Sequence, residues 1–149
     1  MKEDTGDLFE YPADLRVITT NGSLNSKGAA VMGRGCAREV RDRLSGADRR
    51  LGELLKQYGN RPFKLGREYR INDADIGTLP VKSRYNDMAD IALIDFSCRL
   101  LVRLVDHLGY ERIVLVRPGC GNGSLEWSEV QPVVSPLLDE RFTVIERPS

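Results

Sequence analysis

The order of apolar runs along the chain predicts a single three-layer α/β/α domain. Two runs rich in β-branched residues, Arg16 to Thr20 and Arg112 to Val116, are typical of buried strands. Each run leads into a glycine-bearing loop and then into a helical pattern, and strands that alternate with helices build layered α/β domains. A chain of 149 residues is long enough to form one such domain around a sizeable core.

The charge balance and hydropathy are those of an ordinary globular protein. Lysine plus arginine and aspartate plus glutamate each total 22, so the net charge is zero. This argues against a strongly basic nucleic-acid footprint, although it leaves room for a local basic patch. No apolar run approaches membrane-spanning length, and no signal peptide precedes the first predicted strand. We expect a cytoplasmic protein without a membrane partner, and we expect a monomer.

The cysteine and histidine content argues against a metal or cofactor site. Cys36, Cys98 and Cys120 include no C-x-x-C pair, which is typical of reduced thiols in a cytoplasmic protein. The single histidine, His107, falls near the end of a predicted helix, where a structural role is favoured over a catalytic one. A histidine-based triad and a histidine-rich zinc site are disfavoured, and we expect no metal and no cofactor.

The more regular of the two glycine loops follows the strand from Arg112 to Val116. The segment from Pro118 to Ser124 reads PGCGNGS, and Ser128 then opens a helical pattern with Gln131 at capping-box spacing. Glycine lets backbone N–H groups approach a ligand closely, and a helix start adds unpaired donors and a partial positive charge. The segment fits an anion cradle, and it also fits a plain tight turn.

The other glycine loop, Asn21 to Gly35, follows the strand from Arg16 to Thr20 and precedes a helix from Gly35 to Leu44. It is too long for an ordinary connection between a strand and a helix, and loops of that length are often functional. Its Lys27 and Arg34 are either solvated charges or phosphate contacts. Together the two loops predict one crevice at the carboxyl ends of the strands. Such a crevice suits a ligand with two phosphates, or with a phosphate and a sugar.

The remaining elements complete the alternation of strands and helices. Asp7 lies at a short strand or its end, and is either a turn residue or a carboxylate that accepts from an amino group. Apolar residues at three- and four-residue spacing predict a helix from Met88 to Leu108, with Asn86 or Asp87 as its cap. The other predicted elements are a helix that ends at Gly59 and Asn60, and strands at Arg67 to Ile71, Ile76 to Val81 (with Pro80 on an edge or at a strand end) and Arg141 to Ile145.

Four short motifs, in this order along the chain, resemble those of the macro domain family. They are GDLF from Gly6, VMGRGCA from Val31, LPVK from Leu79 and GCGNGSLEW from Gly119. Their order resembles the branch that contains the DNA ADP-ribosyl glycohydrolase antitoxins and the terminal ADP-ribose protein glycohydrolases. The resemblance covers nearly the whole chain, and it implies one macro-like domain over residues 1–149, with a mixed central sheet between two helical layers.

The resemblance implies that the chain binds ADP-ribose, and it assigns roles to the matching positions. Asp7 accepts from the adenine amino group, Asn21 faces the distal ribose, and Lys82 lies near the anomeric carbon of that ribose. The two glycine loops enclose the diphosphate through their backbone N–H groups. The residues that the resemblance places around the ligand are Asp7, Leu8, Asn21, Val31, Met32, Gly33, Arg34, Gly35, Gly119, Cys120, Gly121, Asn122, Gly123, Ser124 and Leu125.

The activity implied by the resemblance is removal of ADP-ribose from a modified nucleobase or protein side chain, with Lys82 as the catalytic residue. Cleavage of the glycosidic bond builds positive character at the anomeric carbon. A lysine can donate to the leaving group, or it can attack the carbon if desolvation or a neighbouring cation, such as Arg84, lowers its pKa. On pattern alone, Lys82 also fits a surface lysine after a strand.

Departures from the family pattern leave alternatives open. Gly123 stands where protein-directed relatives carry an aspartate, so their two-residue mechanism is not expected here. The segment from Asn21 to Val31 is longer than in the antitoxins, Ser124 replaces a second glycine, and Glu126 replaces an aspartate. A lysine-only hydrolase, an ADP-ribose reader without turnover and a phosphatase of ADP-ribose 1″-phosphate stay open. A P-loop enzyme is disfavoured, since neither glycine loop is followed by its Gly-Lys-Ser/Thr.

Overall fold

A six-stranded mixed sheet forms the central layer in the computed structural model, which describes residues 1–148. The strands are β1 (Lys2–Thr5), β2 (Leu15–Asn21), β3 (Arg70–Ile71), β4 (Ala74–Lys82), β5 (Ile113–Val116) and β6 (Phe142–Glu146). The helices are α1 (Gly35–Arg43), α2 (Ala47–Tyr58), α3 (Ile91–Leu108) and α4 (Trp127–Val134), and a 3₁₀ turn covers Gly121–Gly123. Within residues 1–148, no helix combines the length and the apolar character that a membrane crossing requires.

The strand order is β1-β6-β5-β2-β4-β3, and every neighbouring pair is parallel except β3 and β4. The path of the chain reverses between β2 and β5. From β2 it moves to β4 through α1 and α2, whereas from β4 it returns across β2 to β5 through α3, and reaches β6 through α4. A reversal of this kind leaves a crevice between the loops that follow the two strands. Here those loops are residues 22–34 and residues 117–126.

Each central strand is buried on both faces, because successive side chains of a strand point to opposite sides of the sheet. On β2, Val17 packs in the core with α3 and α4, while Ile18 packs in the core with α1 and α2. On β5, Leu115 and Val114 repeat this division. Burial on both faces explains why the apolar runs in the sequence are continuous rather than alternating. The predicted three-layer fold with a mixed sheet is confirmed.

The start of α3 differs from the sequence-based prediction. The helix begins at Ile91, and the carboxylate of Asp90 accepts from the N–H groups two and three positions further on, at 2.9 and 3.3 Å. Asp87 instead accepts from the N–H of Arg84 at 3.1 Å and stabilises the turn before the helix. The prediction that Asn86 or Asp87 caps this helix is therefore wrong, since the extended residue directly before the helix is Asp90.

One expectation about α4 is also wrong, and of the two alternatives for Pro80 in β4 the strand end is confirmed. Ser128 does not open α4: the helix begins at Trp127, with Glu126 at the cap position, and it has no side-chain capping hydrogen bond. β4 is not an edge strand, because it lies between β2 and β3. Pro80 does lie near the end of β4, opposite Thr20, where the register between β2 and β4 shifts. A strand tolerates the missing N–H of proline at such an irregularity.

Arg16 on β2 is a buried arginine with only 2% of its surface exposed. Its guanidinium donates to four backbone carbonyls, those of Leu8, Tyr11, Ile71 and Asn72. Leu8 and Tyr11 belong to the turn after β1, whereas Ile71 and Asn72 belong to β3 and to its hairpin with β4. Because charge-assisted hydrogen bonds satisfy buried carbonyls strongly, Arg16 fixes both segments to the central strand.

We predict that Arg16→Met lowers the free energy of unfolding by about 3 kcal/mol or more, because four buried carbonyls lose their donor. Chemical denaturation measures the change. Arg99→Met is the control, since Arg99 is 62% exposed and paired only with Asp95 on the surface of α3, and its loss costs about 0.5 kcal/mol or less. Equal midpoints for the two variants would contradict the role given to Arg16.

Candidate functional site

A cleft of about 880 Å³ opens at the carboxyl edge of the sheet, between the loops that follow β2 and β5. Four neighbouring strands contribute to it through Asn21 on β2, Lys82 on β4, Val116 on β5 and Arg147 directly after β6. The volume falls within the range of about 300 to 1,000 Å³ that is typical of small-molecule sites. The crevice that the sequence predicts between two glycine loops is therefore present in the structure.

One wall of the cleft is the start of α1 with the loop before it. Residues 31–37 line this wall, and α1 begins at Gly35 without an acidic residue in its first turn and without a side-chain cap. The start of α3, by contrast, is capped by Asp90. The N–H groups at the start of α1 therefore lack a side-chain cap in the part of the chain described. A helix N-terminus of this kind attracts anions.

The opposite wall is the second glycine loop, residues 119–124. The carbonyl of Gly123 accepts from the N–H of Ala89 at 3.0 Å, which holds the loop against the segment before α3. Gly119 has a φ of +75°, and a Cβ there would lie 2.8 Å from the side chain of Ile94 and 3.0 Å from that of Ala89. Only glycine combines this left-handed conformation with so close an approach.

Ser124 ends the second glycine loop in the left-handed conformation, with a φ of +68°. Its N–H donates to the carbonyl of Gly121 at 3.1 Å. Residues other than glycine adopt this conformation at a cost in free energy. The serine that departs from the family pattern therefore keeps a backbone geometry suited to glycine.

Two basic residues of the first loop lie in different places. Arg34 is exposed and lines the cleft. Lys27 is exposed and lines a separate, smaller groove of about 470 Å³, together with Arg41 and Arg49. Of the two cations that the sequence offers as phosphate contacts, Arg34 is the one at the cleft.

Lys82, the predicted catalytic residue, is the last residue of β4 and lines the cleft. Its side chain is partly exposed, and among residues 1–148 it forms no ion pair within 4.0 Å. Its carbonyl accepts from the side chain of Asn60 at 3.2 Å. Arg84, the cation near it in the sequence, is exposed and lies outside the set of residues that line the cleft.

Among the cleft-lining residues of the described chain, Asp87 is the one carboxylate. One of its oxygens accepts from the N–H of Arg84, and the residue is exposed. At Gly123, where the sequence has no carboxylate, a Cβ would lie 2.8 Å from the Cβ of Ala89. A side chain at that position therefore requires Ala89 to move.

Asn21 lines the cleft, but its amide is engaged with the loop that follows it. Its Nδ2 donates to the carbonyl of Val31 at 3.1 Å, and its Oδ1 accepts from the N–H of Ser23 at 2.9 Å. The hydroxyl of Ser23 in turn accepts from the N–H of Tyr85 at 3.0 Å. Asn21 therefore holds the two ends of the loop together and, through Ser23, joins it to the segment after Lys82.

Asp7 does not line the cleft. Its carboxylate accepts from the N–H of Phe9 at 2.8 Å, so it stabilises the turn after β1, as the first of the two sequence-based interpretations has it. The N–H of Gly6 donates to the carbonyl of Glu146 at 3.0 Å. This contact places Asp7 beside the segment that contributes Arg147 to the cleft.

Cys36 and Cys120 also line the cleft. Burial raises the pKa of both thiols, so both stay protonated at neutral pH. The thiolate is the nucleophilic form of cysteine, and attack by either sulfur is therefore disfavoured. All three cysteines, including Cys98 in the core, are free thiols.

All the site residues that the sequence predicts line the cleft except Asp7, Leu8 and Leu125. Leu8 is buried in the core with α1 and α2, and Leu125 packs against the core with α3 and α4. The cleft residues that sequence reasoning missed are Thr19, Thr20, Cys36, Ala37, Val81, Tyr85, Asn86, Asp87, Met88, Val116 and Arg147. Three of them, Thr20, Cys36 and Val81, directly adjoin a predicted residue in the sequence, whereas Arg147 reaches the cleft through the pairing of β6 with β5.

The fold is that of solved macrodomains. The structure is similar to the macrodomain of Thermus aquaticus DarG, with a TM-score of 0.78 and 19% identity over 99% of this chain and 97% of that one. It is similar to the macrodomain of Mycobacterium tuberculosis DarG, with a TM-score of 0.75 and 22% identity over the whole of both chains. It also matches Thermosipho africanus DarTG in complex with ADP-ribose, with a TM-score of 0.77 and 23% identity over 96% of this chain and 40% of that one. No protein-family model and no curated protein matches the sequence.

We predict that Asn21→Ala loosens the loop of residues 22–34, because Val31 and Ser23 each lose a hydrogen bond. The expected loss in the free energy of unfolding is about 1 to 3 kcal/mol, with faster proteolysis within residues 22–30. Asn86→Ala is the control, since Asn86 lines the same cleft but is exposed. Cleavage at the same rate in both variants would show that Asn21 does not hold the loop.

Proposed function

We propose that the cleft binds ADP-ribose and that Lys82 takes part in removing ADP-ribose from a modified nucleobase or protein side chain. The observation that carries the binding proposal is a pair of anion-binding features across one cleft. These are the uncapped start of α1 on one wall and the glycine loop of residues 119–124 on the other. Backbone N–H groups on two sides suit a diphosphate, whose charge is spread over neighbouring phosphates.

The strand order supports the direction in which the ligand lies. Between β1 and β4 the strands follow one another as β6, β5 and β2. The diphosphate is assigned to the centre, at β5 and β2, where the two glycine loops start. The adenine is then assigned to the end at β1 and β6, and the distal ribose to the end at β4, where Lys82 lies.

Asp7 suits the adenine end of this assignment. Its Oδ1 accepts from the N–H of Phe9, which leaves its second oxygen available to an exocyclic amino group. Burial lowers the pKa of the Arg16 guanidinium, and the charge of Asp7 partly offsets this. Because Arg16 also donates to the carbonyl of Leu8 at 2.9 Å, the buried arginine helps to hold the turn that presents Asp7.

The Thermosipho africanus DarTG structure supports the choice of ADP-ribose as the ligand. It is a complex with ADP-ribose, and it shares the fold of the present chain at a TM-score of 0.77. The identity of 23% is too low to carry an activity from one protein to the other. The hydrolytic part of the proposal therefore depends on the position of Lys82 and on the motifs of the sequence.

The chemistry proposed for Lys82 is cleavage of the bond between the anomeric carbon and the modified group. Water adds to the carbon, and the leaving group takes up a proton. As an ammonium, Lys82 donates that proton. As a neutral amine, its nitrogen bonds to the carbon while the bond to the leaving group breaks, the leaving group takes up a proton lost by the nitrogen, and water later cleaves the bond between the lysine and the ribose.

The rim of the cleft beyond Lys82 suits a leaving group with an apolar surface. Tyr85 and Met88 line the cleft, and they are 58% and 66% exposed. An exposed aromatic ring offers a stacking face to a nucleobase, and it also accommodates a protein side chain. Both kinds of modified substrate therefore belong in the assay.

A reader without turnover is the second candidate function, and a phosphatase of ADP-ribose 1″-phosphate is the third. The observation that favours a reader is that Gly123, on the wall of the cleft, carries no carboxylate, and that a Cβ there would lie 2.8 Å from the Cβ of Ala89. A reader keeps the walls of the cleft but does not depend on Lys82 for binding.

We predict that Lys82→Ala reduces the rate constant for release of ADP-ribose by about 100-fold or more, while the affinity for free ADP-ribose changes by about threefold or less. The assay uses ADP-ribosylated single-stranded DNA and ADP-ribosylated protein, and titration calorimetry measures the affinity. Lys82→Arg retains the charge but not the nucleophile, so it separates an electrostatic role from attack.

Lys27→Ala is the matched control, because Lys27 is an exposed lysine outside the cleft, and we expect its activity to equal that of the unmodified protein. Asp87→Asn tests whether the carboxylate on the rim assists water. Release of ADP-ribose by Lys82→Ala at the unmodified rate would contradict the hydrolase proposal, and binding without any release would favour the reader.

We predict that Gly33→Glu weakens ADP-ribose binding by about tenfold or more, because a carboxylate on the wall of the cleft repels the diphosphate. Gly33 lines the cleft, its φ lies outside the left-handed region, and the space where a Cβ would lie is open. Gly33→Ala is therefore expected to bind ADP-ribose with unchanged affinity. Gly33→Gln has nearly the same side-chain size as Gly33→Glu but no charge, so comparing the two variants separates the effect of size from that of charge. Normal binding by Gly33→Glu would contradict the placement of the diphosphate.

A further inference from the structure

The end of α2 contacts the strand end that carries Lys82. The helix ends at Tyr58 with Gly59 at the C-cap position, and the next residue, Asn60, turns its side chain toward β4. The Nδ2 of Asn60 donates to the carbonyl of Lys82 at 3.2 Å, although the two residues are 22 positions apart. Asn60 does not line the cleft. It therefore contacts the backbone of Lys82 from behind, outside the space assigned to the ligand.

The same side chain lies against a tight junction between β2 and β4. The N–H of Gly22 donates to the carbonyl of Ser83 at 3.0 Å. A Cβ at Gly22 would lie 2.8 Å from that carbonyl oxygen and 3.0 Å from the Cγ and Nδ2 of Asn60. The register between β2 and β4 shifts here, so that Asn21 is opposite Lys82 and Val81 is passed over. Asn60 thus supports the point at which regular pairing of β4 with β2 ends.

The side-chain amide of Asn60 is hydrogen-bonded through its nitrogen but not through its oxygen. Its Oδ1 is buried and has no hydrogen-bond partner among the described residues. A buried acceptor without a partner costs free energy of the same order as one hydrogen bond contributes. The single bond to Lys82 is therefore largely offset by the unsatisfied oxygen, and a contribution to stability alone does not account for an asparagine here.

We propose that Asn60 is a positioning residue for Lys82, which it serves by fixing the last peptide group of β4. The direction of the Cα–Cβ bond of a residue follows from its backbone, so a fixed peptide group determines where the ammonium of Lys82 reaches into the cleft. A displacement of about 1 Å at a reacting group can lower a rate 100-fold. The inference rests on the proposed function, because it assumes that Lys82 acts on the substrate.

The test compares Asn60→Ala and Asn60→Leu with the unmodified protein. Alanine removes both polar atoms, and leucine does so while keeping a similar volume. We expect the rate constant for release of ADP-ribose to fall about tenfold or more, with the affinity for ADP-ribose and the thermal unfolding midpoint nearly unchanged. Arg61→Ala is the control, since Arg61 is the exposed neighbour of Asn60, and we expect it to have no effect.

Amide hydrogen exchange at Gly22 gives a readout that does not depend on activity. The N–H of Gly22 reports the junction with Ser83, and we expect its exchange to be about tenfold faster in both Asn60 variants. Exchange within β5 serves as the internal reference, since it is expected to stay the same. A merely structural role predicts the opposite combination, a lower unfolding midpoint with an unchanged rate constant.

The outcomes separate this inference from the proposed function. If release depends on Lys82 while both Asn60 variants keep the unmodified rate constant, the inference is wrong and the proposed function stands. If release does not depend on Lys82, the proposed function is wrong. Unchanged exchange at Gly22 overturns the inference in either case, because Asn60 then does not hold the segment that carries Lys82.

Discussion

The guanidinium of Arg16 is the interaction on which the architecture of this domain most depends. A single buried side chain on the central strand donates to carbonyls of two segments that are far apart in sequence, the turn after β1 and the hairpin of β3 with β4. Four hydrogen bonds to neutral carbonyls keep a full charge inside the core, and among residues 1–148 no carboxylate pairs with it. The turn so held is the one that contains Asp7.

The anion-binding character of the cleft is linked to a difference between two helix starts. The carboxylate of Asp90 satisfies the first N–H groups of α3, whereas α1 begins at Gly35 without any such cap. Unpaired donors at a helix start attract anions, and here they face the glycine loop of residues 119–124 across the reversal between β2 and β5. The helix that begins at this crevice therefore has N–H groups without a side-chain cap.

The sequence predicted the layered fold and both glycine loops, because burial on two faces and backbone freedom leave direct traces in residue type. Features that depend on tertiary packing left no such trace. Arg16 lies in a run of residues that predicts an apolar strand. The neighbouring sequence does not indicate that four backbone carbonyls will accept from its guanidinium. The cap of α3 was misplaced because Asp90 follows two other capping residues, and only the backbone conformation selects among them. The sequence predicts Asn60 only as part of a helix end. Its hydrogen bond with the carbonyl of Lys82 depends on where β4 ends in the sheet, which the sequence pattern does not show.

Titration calorimetry of the purified protein with ADP-ribose, beside AMP and ATP, tests the central claim most directly. The proposed placement of the diphosphate between the two glycine loops, of the adenine near Asp7 and of the distal ribose near Lys82 predicts binding in the micromolar range that is selective for ADP-ribose. AMP lacks the second phosphate and the distal ribose, and ATP lacks the distal ribose, so both are expected to bind more weakly. No heat with ADP-ribose, or equal affinity for AMP, would contradict the assignment of this cleft.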